Sequence, residues 1–195
     1  MTGASGARYG LRLLECLLRQ QRTVYLMLSK PAQVVIGMET DLALPGRPAD
    51  IRRFLAEYYG CPAEQLQVYG KEEWTSPLAS GSAPLGAMVV CPCTTGTLAA
   101  IASGISDSLI LRAADVALKE GRRLILVIRE TPFSITHLEN MLKLARSGAI
   151  ILPANPGFYH RPESVGDIVD FIVSRVLDQL GVPNHLVPRW GLADH

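Results

Sequence analysis

Four short apolar runs punctuate the chain, at residues 23–28, 87–91, 124–128 and 149–152. They are too short and too evenly apolar for amphipathic helices, and they suit strands covered on both faces. Between them apolar positions recur with helical spacing. The clearest case is 164–180, where Val165, Ile168, Val169, Ile172, Val173, Val176, Leu177 and Leu180 keep to one face. Helices are likewise predicted at 6–19, 31–39, 48–59, 95–104, 108–120 and 134–146, with Pro31 suited to a first turn. Strands alternating with helices predict an α/β fold: a doubly wound parallel sheet with right-handed crossovers, a Rossmann-like or flavodoxin-like three-layer sandwich. Residues 1–195 are expected to form a single domain, with a C-terminal tail from about 181 and a long loop at 74–84.

The helix at 108–120 is apolar almost all round, except for Arg112, Asp115 and Lys119, which share one stripe. Two readings stay open: a mostly buried helix with one solvated strip, or a helix at a subunit contact with its charges aimed into a site. Hydrophobic residues make up 48% of the chain and charged residues 19%, an apolar surplus for which self-association is a natural outlet. A net charge of +1 with no basic or acidic run gives no footprint for nucleic acid or for an anionic membrane. No apolar run approaches the ~20 residues a membrane span needs, and no signal peptide precedes the first glycines, so a cytoplasmic location is expected. Cys16, Cys61, Cys91 and Cys93 form no C-x-x-C pair, and read as buried free thiols.

In open α/β sheets ligands bind beyond the carboxyl ends of the strands. The turn at the start of the chain offers Gly3, Ala4, Ser5 and Gly6, and the next strand ends at Ser29 and Lys30. The following strand ends carry Thr94, Thr95, Gly96 and Thr97, then Arg129, Glu130 and Thr131, then Asn155 to Tyr159. Hydroxyl residues opening a helix are ordinary caps, but free N–H groups there also favour a phosphate, so it is the convergence of five strand ends that points to a nucleotide. G-x-G-x-x-G is absent and no carboxylate ends the 23–28 strand, which disfavours a dinucleotide. A short-chain dehydrogenase pattern fails at Ala7 and Arg8, and Gly70-Lys71-Glu72 is no Walker A loop. A mononucleotide fits better. Adjacent opposite charges, Arg129 and Glu130, at the end of a buried strand also suggest function.

Six ordered motifs carry a resemblance: 2–6 (TGASG), 91–98 (CPCTTGTL), 112–120 (RAADVALKE), 129–132 (RETP), 137–141 (HLENM) and 156–159 (PGFY). Over nearly the whole chain it resembles the flavin prenyltransferases, the UbiX family. The resemblance implies that FMN is a substrate rather than a redox cofactor, alkylated in its reduced form by a dimethylallyl group from dimethylallyl phosphate. The prenylated FMN would serve a UbiD-type decarboxylase. Carried over by position, it implies FMN contacts from Gly3, Ala4, Ser5, Ser29, Thr94, Thr95, Gly96, Thr97 and Arg129. It places the donor phosphate against Lys119, Arg129, Glu130, Tyr159 and Arg175, Trp190 near the prenyl chain, and Glu39 and Ser5 as proton-handling groups. Breaking an allylic C–O bond builds negative charge on phosphate, which Arg, Lys and Tyr donors would stabilise while Glu130 acts as general acid.

No metal is expected, since the chain offers only the isolated pair Asp167 and Asp170 where diphosphate-ionising prenyl enzymes use aspartate-rich motifs. The resemblance also implies a homo-oligomer, a dodecamer, with flavin at subunit contacts. Two alternatives are a flavin-dependent cysteine decarboxylase of the same superfamily, which relies on an early histidine whereas the first here is His137, and a non-catalytic FMN-binding protein. The family has Ser where Thr94 stands, which keeps the hydroxyl. It also has a strand directly before the glycine turn, where this sequence has only Met1. The first strand is therefore expected to be truncated, through a start assigned too late or as a sheet lacking an interior strand.

Overall fold

Leu124, Ile125, Leu126 and Val127 are wholly inaccessible to solvent, because they form the middle strand of a layer covered on both faces. The computed structural model describes residues 1–189 and 191. Its elements in chain order are α1 (Ala7–Arg19), β1 (Val24–Met27), α2 (Lys30–Glu39), α3 (Pro48–Tyr59), β2 (Leu66–Tyr69), β3 (Ala87–Cys93), α4 (Thr95–Ala102), α5 (Leu109–Lys119), β4 (Arg123–Ile128), α6 (Ile135–Arg146), β5 (Ile150–Pro153) and α7 (Val165–Leu180). All strand pairs are parallel: β1 with β2, and β4 with β3 and β5.

Side chains alternate across β4. Leu124, Leu126 and Ile128 pack on one face with residues of α4, α5 and α6, whereas Ile125 and Val127 pack on the other with α1 and α7. Leu26 and Leu28 face α1, α2 and α3 in a further cluster. These layers are the predicted three-layer sandwich. The expected elements are present, with α3 at its predicted bounds. The structure adds β2, which periodicity did not reveal: Leu-Gln-Val-Tyr is a four-residue edge strand, half-buried beyond Leu66, and too short to stand out as a period. The loop at 74–84 contains one 3-10 turn, Pro77–Ala79.

The first two residues hydrogen-bond to both sheets. Met1 N donates to Met27 O at 2.7 Å and Met1 O accepts from Ser29 N at 3.2 Å, while Thr2 N donates to Pro92 O at 3.1 Å. Residues 1–2 thus lie between the carboxyl ends of β1 and β3 and bond to both sides. From residues 1–2 the order runs outward to β1 and β2 on one side and to β3, β4 and β5 on the other, so the topological switch point of this doubly wound arrangement lies at the first turn and the end of β3. Among the described residues no helix is long and apolar enough to cross a membrane.

Candidate active site

The switch point brings the first turn beside the end of β3. Thr2 is buried, and its Oγ1 donates to Pro92 O and accepts from Thr94 N, both at 2.9 Å, so one hydroxyl locks two of the predicted ligand loops together. Sequence reading did not single out this residue; a hydroxyl directly before a glycine turn was the available signal. A Cβ on Gly3 would lie 2.3 Å from the Cβ of Pro31, so the turn rests directly on the start of α2. Gly6, at φ 100°, starts α1 in a conformation that favours glycine.

Glu39, at the end of α2, reaches back to α1. Its carboxylate accepts from Gly6 N at 2.9 and 3.0 Å and from Ala7 N at 2.8 Å, taking up donors that the helix start leaves free. Burial pushes its pKa up, but the Ser5 hydroxyl, the two backbone donors and the nearby Arg129 charge outweigh this and hold it below the ordinary carboxylate value. Glu39 is therefore an ionised group at neutral pH: it can accept a proton but has none to give.

Ser29 and Thr94 are both genuine caps. Ser29 Oγ accepts from Ala32 N at 3.1 Å, and Thr94 Oγ1 accepts from Thr97 N at 3.0 Å and pairs with Thr97 Oγ1 at 2.8 Å. The capping reading holds for both, yet each also sets a helix N-terminus at the switch point, so capping and anion binding are not exclusive here. A Cβ on Gly96 would meet nothing closer than Thr94 Oγ1 at 3.9 Å. The fold itself has room for a side chain there.

Arg129 N donates to Cys93 O at 3.4 Å, which seats the residue at the carboxyl end of β4. Its Nε is buried and has no hydrogen-bond partner among the described protein atoms. A buried cationic donor of this kind calls for an anion, and a phosphate beside the α4 N-terminus fits the donors present. Glu130, half-buried, accepts from Thr131 N at 3.0 Å. Tyr159 lies on the loop after β5, at the same end of the sheet, largely exposed. Cys91 and Cys93 are pushed up to about 12 by burial, so neither is a nucleophile.

Two predicted residues do not join this cluster within one chain. Lys119 closes α5 just before β4 begins, pairs with Glu120 and sits beside Gly81, at the amino end of the sheet. Arg175 is about 15 Å along α7 from Val165 and pairs with Asp178 at 2.9 Å, again away from the switch point. The chain order held this signal, because a helix that precedes a parallel strand must end where that strand starts. Trp190 lies outside the described residues.

The Flavoprotein family model matches residues 1–177. Flavin prenyltransferase UbiX of Pseudomonas aeruginosa is 59% identical over 191 residues, covering 98% of this chain and 91% of that one. The solved structure of AnUbiX (PadA1) in complex with FMN and dimethylallyl pyrophosphate superposes with a TM-score of 0.87 at 40% identity, covering 100% of this chain and 96% of that one. A dodecameric FMN-dependent UbiX-like decarboxylase from Escherichia coli O157:H7 gives a TM-score of 0.82, also at 40% identity, over 97% and 99%. With its switch-point turns, the buried Nε of Arg129 and these relatives, the chain belongs to the flavin prenyltransferases of the UbiX family.

Proposed function

We propose that this chain transfers a dimethylallyl group from dimethylallyl phosphate to reduced FMN, and that the prenylated FMN goes to a UbiD-type decarboxylase. The observation that carries the reading is the buried, unpartnered Nε of Arg129 beside the first turn and the α4 N-terminus. Gly3, Ala4, Ser5, Ser29, Thr94, Thr95, Gly96, Thr97 and Arg129 would hold FMN. The reduced flavin supplies the electron pair that bonds to the allylic carbon as its C–O bond breaks and phosphate leaves. Arg129, Tyr159, Lys119 and Arg175 would stabilise the charge growing on that phosphate, with Glu130 Oε delivering a proton to it. Glu39, ionised and bonded to Ser5, suits the opposite task of taking up a proton at its Oε atoms. Trp190 would line the prenyl chain.

Because Lys119 and Arg175 lie away from the switch point, the reading requires other copies of the chain to bring them. A homo-oligomer, dodecameric by resemblance, accords with the exposed apolar stripes Ile135, Leu138 and Leu142 on α6 and Val34 and Met38 on α2. All four cysteines are free, as suits the reducing cytoplasm in which we place the protein. Anaerobic incubation with reduced FMN and dimethylallyl monophosphate should release one inorganic phosphate per FMN consumed, and a parallel run with the diphosphate reads donor preference. Phosphate release without loss of FMN would contradict the reading.

A further inference from the structure

Thr2 is not among the residues that would hold FMN or the donor phosphate, yet it is buried and its hydroxyl bonds twice across the switch point, at 2.9 Å each time. The direction of each bond is fixed. An N–H can only donate, so Thr94 N gives to Thr2 Oγ1 and the single hydroxyl proton goes to Pro92 O. Thr2 N also donates to Pro92 O, at 3.1 Å, which leaves Thr94 N as the group that depends on the hydroxyl.

Resting on the FMN reading above, we propose that Thr2 is a positioning residue of the flavin site, whose hydroxyl holds the two loops that would grip FMN at a fixed separation. Pro92 and Thr94 bracket Cys93, and Cys93 O accepts from Arg129 N at 3.4 Å, so the run 92–94 carries the first turn on one side and Arg129 on the other. Thr94 is also the cap of α4: its backbone is extended, and its Oγ1 accepts from Thr97 N at 3.0 Å. One hydroxyl therefore orients the peptide that sets both the α4 N-terminus and Arg129. On the near side Gly3 follows Thr2 directly, and the turn goes on to Ser5, whose hydroxyl bonds to the Glu39 carboxylate.

The demand on the side chain is specific. Valine has the shape of threonine but no hydrogen-bonding group, so it would take from Thr94 N the acceptor that this donor uses. Serine keeps the hydroxyl and loses only the β-branch that narrows the choice of χ1. Pro31 supports the turn from the α2 side, where a Cβ on Gly3 would lie 2.3 Å from the Pro31 Cβ, but that contact is steric and does not reach α4. The hydroxyl acts on the ligand through the backbone it orders. Its loss therefore shows as a cradle that must be ordered when FMN arrives, which weakens binding.

The test is a fluorescence titration with FMN at a temperature where each variant is folded, so it stands apart from prenyl transfer. Thr2→Val should bind FMN about tenfold more weakly, and Thr2→Ser within about twofold of wild type. Ile125→Val, a wholly buried change in the amino half of β4, should lower the melting temperature and leave FMN affinity unchanged. In flavin-free protein the Thr94 amide should exchange at least about tenfold faster in Thr2→Val than in Thr2→Ser. Should the valine variant not fold, Thr2→Ala leaves space for a water at Thr94 N and carries the same comparison with serine. A Thr2→Val protein that melts earlier but binds FMN as wild type does would reduce Thr2 to a structural residue and overturn the proposal. So would a serine variant that binds as weakly as the valine one. Wild-type protein that binds no FMN would remove the flavin reading and the proposal with it.

Discussion

Replacing Glu39 with Gln keeps the length of the side chain that closes α1 but removes its charge. The exchange should cost about 1 kcal/mol of stability at pH 7, the usual worth of a cap with a helix-dipole contribution. Because the folded pKa of Glu39 lies below its ordinary 4.5, the contribution is present above that value and is lost as pH falls through the lower, folded value. Melting curves of wild type and E39Q should therefore converge in acid. A gap that stays constant from pH 7 to pH 3 would mean the charge is not what matters. Arg129→Ala removes a half-buried cation whose buried Nε has no protein partner among the described residues, so the fold should tolerate it better than the ligand does. Losing one charge-assisted bond of about 1.5–3 kcal/mol implies FMN binding weaker by roughly 10- to 150-fold in a fluorescence titration.

Among the elements, the two glycine turns make opposite demands. Gly3→Ala drives a methyl into Pro31 and must displace the start of α2, at a cost of about 1–3 kcal/mol. Gly96→Ala meets open space and improves a helix former by up to about 1 kcal/mol, so stability should hold or rise while FMN binding falls. Thermal melts and flavin titrations of the two variants separate a glycine the fold needs from one the ligand needs. The helices were readable from the chain because strong amphipathic spacing fixes them, as at α3 and α7. The strand β2 was not, since an edge strand half open to solvent leaves only a weak pattern. The strand-end turns were legible through residue type, but whether Ser29 and Thr94 cap or bind could be decided only by their 3.0–3.1 Å bonds to backbone N–H groups. The role of Glu39 as a cap depends on α2 returning alongside α1, a contact 33 residues apart that no local pattern encodes.

For the molecule as a whole, the proposed site residues fall at both ends of the sheet. Arg129, Glu130 and the first turn stand at the carboxyl end of the sheet, and Lys119 at the amino end. If copies complete one another, K119A and E130Q should each be inactive, yet dissociating and reassembling the two together should restore part of the activity, because some contacts then pair an intact Glu130 with an intact Lys119. Mixtures as inactive as their parents would place both residues in the same half-site. The family likeness implies Lys119 as a site residue, and the topology puts it at the opposite end of the sheet from Glu130 within one chain. The central claim is that the flavin bound at the switch point is the acceptor of the prenyl group. The most direct measurement is the mass of the flavin recovered after anaerobic incubation of the folded protein with reduced FMN and dimethylallyl phosphate. A gain of one isoprene unit is predicted, absent without the donor; an unchanged flavin mass from folded, flavin-binding protein would contradict it.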